Sequence, residues 1–130
     1  MRSFTKDIFT SFEEKSIVAQ GEIMSTNMVL NYLQEQGIKA TLLSAFDFMR
    51  TDKNAEPDAQ YIKEKLTAIM AENEGYQIYI TQGFICLNAY GEIDNLQRGG
   101  SDFTASLIGV ALGAEDIQIW TDIDGMHNND

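Results

Sequence analysis

Short apolar runs with strand character alternate with longer amphipathic segments along this chain, and this alternation limits its fold more than any other feature. In the longer segments apolar residues recur every three or four positions, which is typical of helices with one buried face. The short runs are bounded by glycine or polar residues, as buried strands are. Because strands and helices alternate, we predict parallel βαβ units. The predicted fold is α/β, a three-layer α/β/α sandwich with a mostly parallel sheet.

The positions of the predicted elements follow from these periods and from the residues that end them. Helices are expected at residues 4–12, 24–36, 61–75 and 101–112, and strands at residues 17–19, 40–45, 77–81, 84–87, 92–95 and 117–121. Gly37 and Gly113 end two of the helices. Residues 50–58 are polar and hold the only proline, which predicts a surface loop. Residues 88–91 are predicted to turn a hairpin.

Composition and charge exclude several classes of function. A formal charge of −11 disfavours a nucleic-acid partner, because the phosphate backbone would be repelled. No apolar run approaches the roughly 20 residues that span a bilayer, and the N-terminus lacks the apolar core of a signal peptide. We therefore expect no membrane partner and a cytoplasmic location. One cysteine, Cys86, and one histidine, His127, cannot build a disulfide or a Cys/His metal cage.

Two further residues in apolar runs are expected to serve packing. Cys86 lies in the run Phe-Ile-Cys, which predicts a small buried side chain rather than a nucleophile. Trp120 ends the run Ile-Gln-Ile-Trp and is predicted to lie in the core rather than to stack on a ligand.

The segment Arg98-Gly99-Gly100-Ser101-Asp102 is the most informative for chemistry. Two glycines let the backbone approach a ligand, and a helix start exposes free N–H groups with partial positive charge. Ser101 is a suitable N-cap for that helix, and Arg98 can grip a carboxylate through two hydrogen bonds. These residues together predict an anion site. A plain loop and capped helix, with Asp102 complementing the helix dipole, explains the pattern equally well.

Two other segments carry polar groups at places where ligands bind. Glu22 follows a glycine at a predicted helix entry and could hold an ammonium group, although a solvated glutamate also fits. Thr121, Asp122 and Asp124 follow the last predicted strand, where α/β sheets bind ligands. The two aspartates could hold Mg²⁺ or a ribose, or could simply form a turn. No P-loop motif occurs.

Taken in order, these segments resemble the aspartokinases of the amino-acid kinase family. The matching motifs are Gly21-Glu22 with Ser25-Thr26, Thr81-Gln82-Gly83-Phe84, Arg98 to Asp102, and Trp-Thr-Asp-Ile-Asp-Gly at residues 120–125. The resemblance covers nearly all of the chain from Gln20 onward. It implies an enzyme that uses ATP with Mg²⁺ to phosphorylate the side-chain carboxylate of L-aspartate, on the route to lysine, threonine and methionine.

The resemblance also implies roles for individual residues. Glu22 would bind the substrate ammonium and Arg98 a carboxylate, and the same pocket would be lined by Gly99, Gly100 and Ser101. Asp102 would order the phosphate-binding lysines and assist in-line transfer. The nucleotide would be contacted by Thr121, Asp122 and His127. Such a division agrees with phosphoryl transfer, which depends mainly on positioning and charge neutralisation.

This sequence departs from the family pattern in several places. Gln97 stands where a glycine usually precedes the arginine, and His127 where a tyrosine commonly meets the nucleotide. An exposed tail residue is the alternative for His127. The family's opening Lys-Phe-Gly-Gly strand, its later nucleotide-binding residues and its regulatory ACT domains have no counterpart in the 130 residues. We therefore expect residues 1–130 to be part of a catalytic domain, inactive by itself in a hydroxamate assay and prone to self-association. The alternatives are another amino-acid kinase or a non-catalytic ligand-binding module.

Overall fold

The computed structural model describes residues 11–96 and 99–120. Its elements in chain order are α1 (Ser11–Glu35), β1 (Ala40–Leu43), a 3-10 helix (Ala45–Asp47), α2 (Ala59–Glu72), β2 (Ile78–Thr81), β3 (Ile85–Leu87), β4 (Ile93–Asn95) and α3 (Gly100–Leu112). Within these ranges, none of the helices combines the length and the apolar character that a membrane crossing requires.

The four strands form two separate pairs. β1 and β2 are parallel, with Ala40 opposite Ile78, and β3 and β4 are antiparallel, with Cys86 opposite Asp94. The predicted hairpin is confirmed: the Asn88 carboxamide oxygen accepts hydrogen bonds from backbone N–H groups in the turn that joins β3 to β4. Helices with a parallel pair of strands confirm the α/β class. The three-layer sandwich stays a prediction.

α1 corrects two predictions, the strand at residues 17–19 and the start of the next helix at residue 24. The predicted strand at residues 17–19 is wrong, because these residues lie inside one continuous helix that also contains residues 24–35. The buried or half-buried positions, among them Ala19, Thr26 and Leu33, recur at helical spacing along one face, whereas Ile17 is 59% exposed. Packing of this face over both strand pairs outweighs the strand preference of a short β-branched run. The predicted helix at residues 4–12 lies largely outside the described residues.

The core lies where α1, α2, α3 and the strands meet. Its fully buried large side chains are Phe48, Met49, Ile62, Leu66, Ile85, Leu96 and Cys86. The predicted burial of Cys86 is therefore confirmed. Removal from water raises the pKa of its thiol to about 12, with the Asp94 carboxylate adding to the effect. A thiol protonated at neutral pH is a poor nucleophile, so Cys86 serves packing.

The end of the described chain differs from the prediction. Residues 117–120 pair with no strand among the described residues, so the strand expected there is not formed. Trp120 is 85% exposed, and its predicted place in the core is wrong. An apolar run makes a strand only when a neighbouring strand accepts its hydrogen bonds, and a sequence pattern alone cannot supply that neighbour.

The predicted loop at residues 50–58 is present and is held at both ends. Arg50 forms an ion pair with Asp58 at 2.9 Å, and its guanidinium lies 3.6 Å from the centre of the Tyr61 ring. Asp58 also caps α2 by accepting a hydrogen bond from the Tyr61 N–H. The hydrogen bond from Arg50 lowers the pKa of the Asp58 carboxyl, and the bond from the Tyr61 N–H acts in the same direction. The loop therefore holds the start of α2 in place.

Candidate functional site

The carboxyl end of β2 is the point where three parts of the chain are joined. Gln82, the residue after β2, is only 2% exposed. Its side-chain oxygen accepts a hydrogen bond from the Ala45 N–H at 2.8 Å, and its side-chain nitrogen donates to Thr26 Oγ1 at 3.0 Å. Because β1 and β2 are parallel, the residues after both strands lie at the same edge. α1 is attached to that edge through Thr26.

The next two residues attach α3 to the same edge. A Cβ atom on Gly83 would lie 2.7 Å from the Ser101 Cβ, so only glycine lets the backbone pass so close to the start of α3. Phe84 has a left-handed backbone conformation (φ +73°), which is unusual for a residue with a side chain. Its N–H donates to Thr104 Oγ1 at 2.9 Å, and its carbonyl accepts from the Leu96 N–H at 2.8 Å. The Gly83–Phe84 turn thus fixes the first turn of α3.

The N-terminus of α3 begins differently from the prediction. Gly99 is the N-cap, in a left-handed conformation (φ +72°), so the prediction that Ser101 caps this helix is wrong. Glycine at this position gives no side-chain cap, and the first helical hydrogen bond of the backbone runs from the Phe103 N–H to the Gly99 carbonyl at 2.9 Å. The N–H groups of the first turn therefore keep the partial positive charge that attracts anions. Ser101 and Asp102 in this turn are exposed.

Glu22 lies on the face of α1 that packs against the strands. The prediction of a helix entry at this residue is wrong, since Glu22 is in the middle of α1. It stands one turn before Thr26, about 6 Å along the helix axis. Its side chain is half-buried, and its carboxylate has no hydrogen-bond or ion-pair partner in the described parts of the chain. A carboxylate of this kind is available to a cationic ligand.

These observations bring two of the predicted groups to one region. Thr26, one turn from Glu22, is bonded to Gln82, and the residue after Gln82 touches Ser101. A free carboxylate on α1 and free N–H groups on α3 thus belong to elements that are fastened to the same residues. This arrangement suits a small ligand with both an ammonium and a carboxylate group.

Several predicted site residues lie outside the described residues, namely Arg98, Thr121, Asp122 and His127. Their predicted roles stay predictions. Over the residues that are described, no three histidine, cysteine or acidic side chains come together in a group that could hold a metal ion.

Comparison with known proteins identifies the family. A sequence model of the amino acid kinase family matches residues 4–130. The chain belongs to the amino acid kinase family. It is 39% identical over 119 residues to lysine-sensitive aspartokinase 3 of Escherichia coli, and the match covers 88% of this chain and 26% of that protein. It is 34% identical over 122 residues to an aspartokinase of Chlamydia muridarum, which covers 91% of this chain and 27% of that protein.

Solved structures of the same family agree with the fold. The E. coli aspartokinase III structure in complex with aspartate and ADP superimposes with a TM-score of 0.76 at 36% identity, over 87% of this chain and 26% of that chain. The chain therefore spans about a quarter of the length of the relatives that it matches. The family resemblance noted from the sequence motifs is confirmed.

Three residues of this family member were not predicted as functional from the sequence. Gln82 joins α1 to the strand edge, and Thr104 holds the Phe84 N–H. Phe84 adopts the strained backbone conformation described above. Gln82 and Phe84 belong to the motif Thr-Gln-Gly-Phe, and the polar residue directly after a predicted strand was the available signal. Thr104 gave no signal, because a threonine inside a helix usually has only local hydrogen bonds.

Proposed function

We propose that this chain forms the aspartate-binding part of an aspartokinase, an enzyme that transfers the γ-phosphate of ATP to the side-chain carboxylate of L-aspartate. The observation that carries the proposal is the unpaired Glu22 carboxylate, fastened through Thr26 and Gln82 to the same edge as the uncapped start of α3. Relatives named aspartokinase, at 34–39% identity, support the same reaction.

In the proposed complex the two ends of the amino acid are held by different elements. Glu22 binds the ammonium group by a charge-assisted hydrogen bond. The N–H groups at Gly100 and Ser101 bind a carboxylate, and Arg98 adds a bidentate contact. With its backbone groups held in this way, the substrate presents its remaining carboxylate for reaction. Holding the reacting group in place supplies much of the rate in such transfers.

The remaining roles are proposed for the phosphate and nucleotide side. ATP supplies the phosphoryl group, and Mg²⁺ would be held largely by its phosphates, as is usual for this ion. Asp102, exposed in the first turn of α3, orders the cationic side chains around the phosphates. Thr121, Asp122 and His127 contact the nucleotide. We also propose that the catalytic domain is a three-layer sandwich, which is supported by helices that contact the parallel strands through Thr26 of α1 and Asn73 after α2.

The central test is L-aspartate binding by the purified chain and by its Glu22→Gln variant, measured by isothermal titration calorimetry. A hydrogen bond to a charged group contributes about 1.5–3 kcal/mol, so we expect affinity to fall roughly 10- to 100-fold. Glu14→Gln is the matched control, since it removes the same charge from an exposed position on the same helix. Its affinity should stay within about twofold of the wild type. Equal binding by the Glu22 variant and the wild type would refute the proposed role.

A second ligand separates aspartokinase from other amino-acid kinases. N-acetyl-L-aspartate lacks the ammonium group that Glu22 is proposed to bind. We expect it to bind at least about tenfold more weakly than L-aspartate. Preference for the acetylated compound would instead favour a kinase that acts on N-acetylated substrates.

The chain by itself is proposed to lack aspartokinase activity. Phosphoryl transfer requires cations around the phosphates. Lys15 is paired with Asp94 at 2.7 Å, and Lys39 precedes β1 at the end away from the site, so neither of these two lysines is available to the phosphates there. ATP- and aspartate-dependent hydroxamate formation at a rate near that of a complete aspartokinase would contradict this proposal. If the chain binds aspartate but shows no activity, it also differs from a ligand-binding module that does not take aspartate.

Self-association is proposed as well. α1 carries an apolar row on the face away from the strands, here called the outer stripe and formed by Ile17, Met24, Met28 and Tyr32. These side chains are between 59% and 66% exposed. Exposed apolar rows of this size commonly mark contact surfaces.

The cytoplasmic location expected from the sequence stays a prediction.

A further inference from the structure

The hydrogen bonds of Gln82 have only one possible direction. The Ala45 N–H is a donor, so it must face the side-chain oxygen of Gln82, at 2.8 Å. The side-chain nitrogen must then donate to Thr26 Oγ1, at 3.0 Å. The Thr26 hydroxyl in turn donates its own proton to the backbone carbonyl of Glu22 or of Ile23, each at 3.0 Å. A directed series of bonds therefore runs from the strand edge to the turn of α1 that carries Glu22.

Loss of this series of hydrogen bonds should have a measurable effect, because its groups are shielded from solvent. Gln82 is 2% exposed, Ala45 is fully buried and Thr26 is half-buried, so water has limited access to the groups of this series. The other polar contacts of α1 with the strands lie nearer its ends, at Lys15 with Asp94 and at Gln34 with the Ala40 carbonyl. Among the described contacts, the Gln82–Thr26 bond is the polar one closest to Glu22.

The same residue also sits next to the contact that positions α3. Gly83, which follows Gln82, packs against Ser101 with no room for a side chain. One short segment therefore sets the position of α1 through a hydrogen bond and that of α3 through a backbone contact. An amino acid has a fixed length between its ammonium and carboxylate groups, so a small change in either position weakens one of the two contacts.

We propose that Gln82, acting through Thr26, is a positioning residue that sets the location of Glu22 relative to the start of α3 and so determines how strongly the substrate ammonium is bound. This inference rests on the proposed function, because it assumes that Glu22 binds that ammonium. It predicts a specific defect. Loss of the bond should weaken recognition of the ammonium group and leave recognition of the carboxylate groups nearly unchanged.

The test compares L-aspartate with succinate, which keeps both carboxylates and lacks the ammonium. In calorimetric titrations the wild-type chain should prefer L-aspartate. Gln82→Met keeps the side-chain length but removes both the donor to Thr26 and the acceptor of the Ala45 N–H. Thr26→Val keeps the shape and the Ala45 bond but removes the hydroxyl. Both should reduce the preference for aspartate about tenfold, with succinate affinity within about twofold of the wild type. Thr26→Ser, which retains the hydroxyl, should restore the preference.

A double variant identifies the residue through which Gln82 acts. In a Glu22→Gln background, Gln82→Met should change aspartate affinity by less than about twofold, because the contact it supports is already lost. Urea unfolding of each variant gives the folded fraction. Should Gln82→Met fail to fold, the comparison of Thr26→Val with Thr26→Ser carries the same test.

The outcomes separate the inference from the proposed function. Equal weakening of both ligands, or no weakening of either, in folded Gln82→Met and Thr26→Val would overturn the positioning role while the Glu22 result stands. A wild-type chain that shows no preference for aspartate over succinate would overturn the proposed function and this inference together.

Discussion

The two faces of α1 differ in how they are fastened to the rest of the molecule. The inner face is tied by an ion pair at Lys15, by hydrogen bonds at Thr26 and Gln34, and by the buried Ala19. The outer stripe has large apolar side chains that are mostly exposed. Substitutions on the inner face should therefore change stability and ligand binding, whereas those on the outer face should change contacts between molecules.

The largest expected effect concerns Cys86, which lies opposite Asp94 in the hairpin below the inner face. Its pKa is raised from 9.0 to about 12 in the folded chain. An unfolded thiol ionises at lower pH, so the contribution of Cys86 to stability is full below pH 9 and is lost as pH rises towards about 12. The free energy of unfolding of the wild type should fall with pH more steeply than that of Cys86→Ala, by up to about 1.4 kcal/mol per pH unit.

Urea unfolding at several pH values between about 8 and 11 measures that difference, because this range brackets the pKa of the unfolded thiol. Cys86→Ala also controls for every other contribution to the pH dependence of stability. Parallel curves for the two proteins would show that the thiol is not held in its protonated form.

The next largest effect is expected at Gly83, which follows β2 and packs against Ser101 at the start of α3. Gly83→Ala places a methyl group 2.7 Å from the Ser101 Cβ and 3.1 Å from its Cα, where the start of α3 has to move. Overpacking of this kind costs about 1–3 kcal/mol. Urea unfolding should show that loss, accompanied by weaker aspartate binding, because the N–H groups of α3 are displaced. An unchanged midpoint would mean that α3 is not held by this contact.

A glycine on the exposed side of α1 should respond in the opposite direction. Gly21 is exposed and has no atom within 4 Å of an added Cβ. Gly21→Ala should therefore raise the free energy of unfolding by about 0.5–1 kcal/mol, since alanine loses less conformational freedom in a helix. With Gly83→Ala it forms a matched pair, the same chemical change at an open position and at a tightly packed one. Destabilisation by Gly21→Ala would show that this side of α1 is more closely packed than the structure indicates.

The smallest effect on stability is expected in the outer stripe. Met24→Ser combined with Met28→Ser should change the free energy of unfolding by less than about 0.5 kcal/mol, because both side chains are largely exposed. The same variant should reduce self-association, measured as the apparent mass in light scattering over a range of concentrations. A wild-type chain that stays monomeric at high concentration would remove the case for an association surface here.

The sequence predicted the elements whose signals are local. Glycines end the helices before Ile38 and after Leu112, and the hairpin turn is built by Asn88 and Gly91, so their positions were close to those observed. The run at residues 17–19 was misread because three apolar residues fit a strand or a helix equally well. Only packing over the two strand pairs decides between them.

The site was predicted as a set of residues rather than as an arrangement. Glu22 and the glycines at the start of α3 lie on elements that contact the Gln82–Gly83 segment, but the family resemblance and not the spacing linked them, and their roles stay predictions. Gln82 and Thr104 act through bonds to residues 56 and 20 positions away, and no local pattern reports such contacts. The wrong N-cap at Ser101 had a physical source as well: serine has the better local preference, yet the turn at Gly99 decides where the helix starts.

The tight passage at Gly109 has a consequence for how the chain leaves α3. Gly109 is buried, and the space that a side chain would need there is taken by the side chain of Ile117. The helix thus carries a notch at Gly109 that receives the Ile117 side chain and fixes the direction of the described residues that follow α3. Gly109→Ala would fill that notch, so a single methyl group on α3 would displace the Ile117 side chain and change the direction in which the chain leaves the helix.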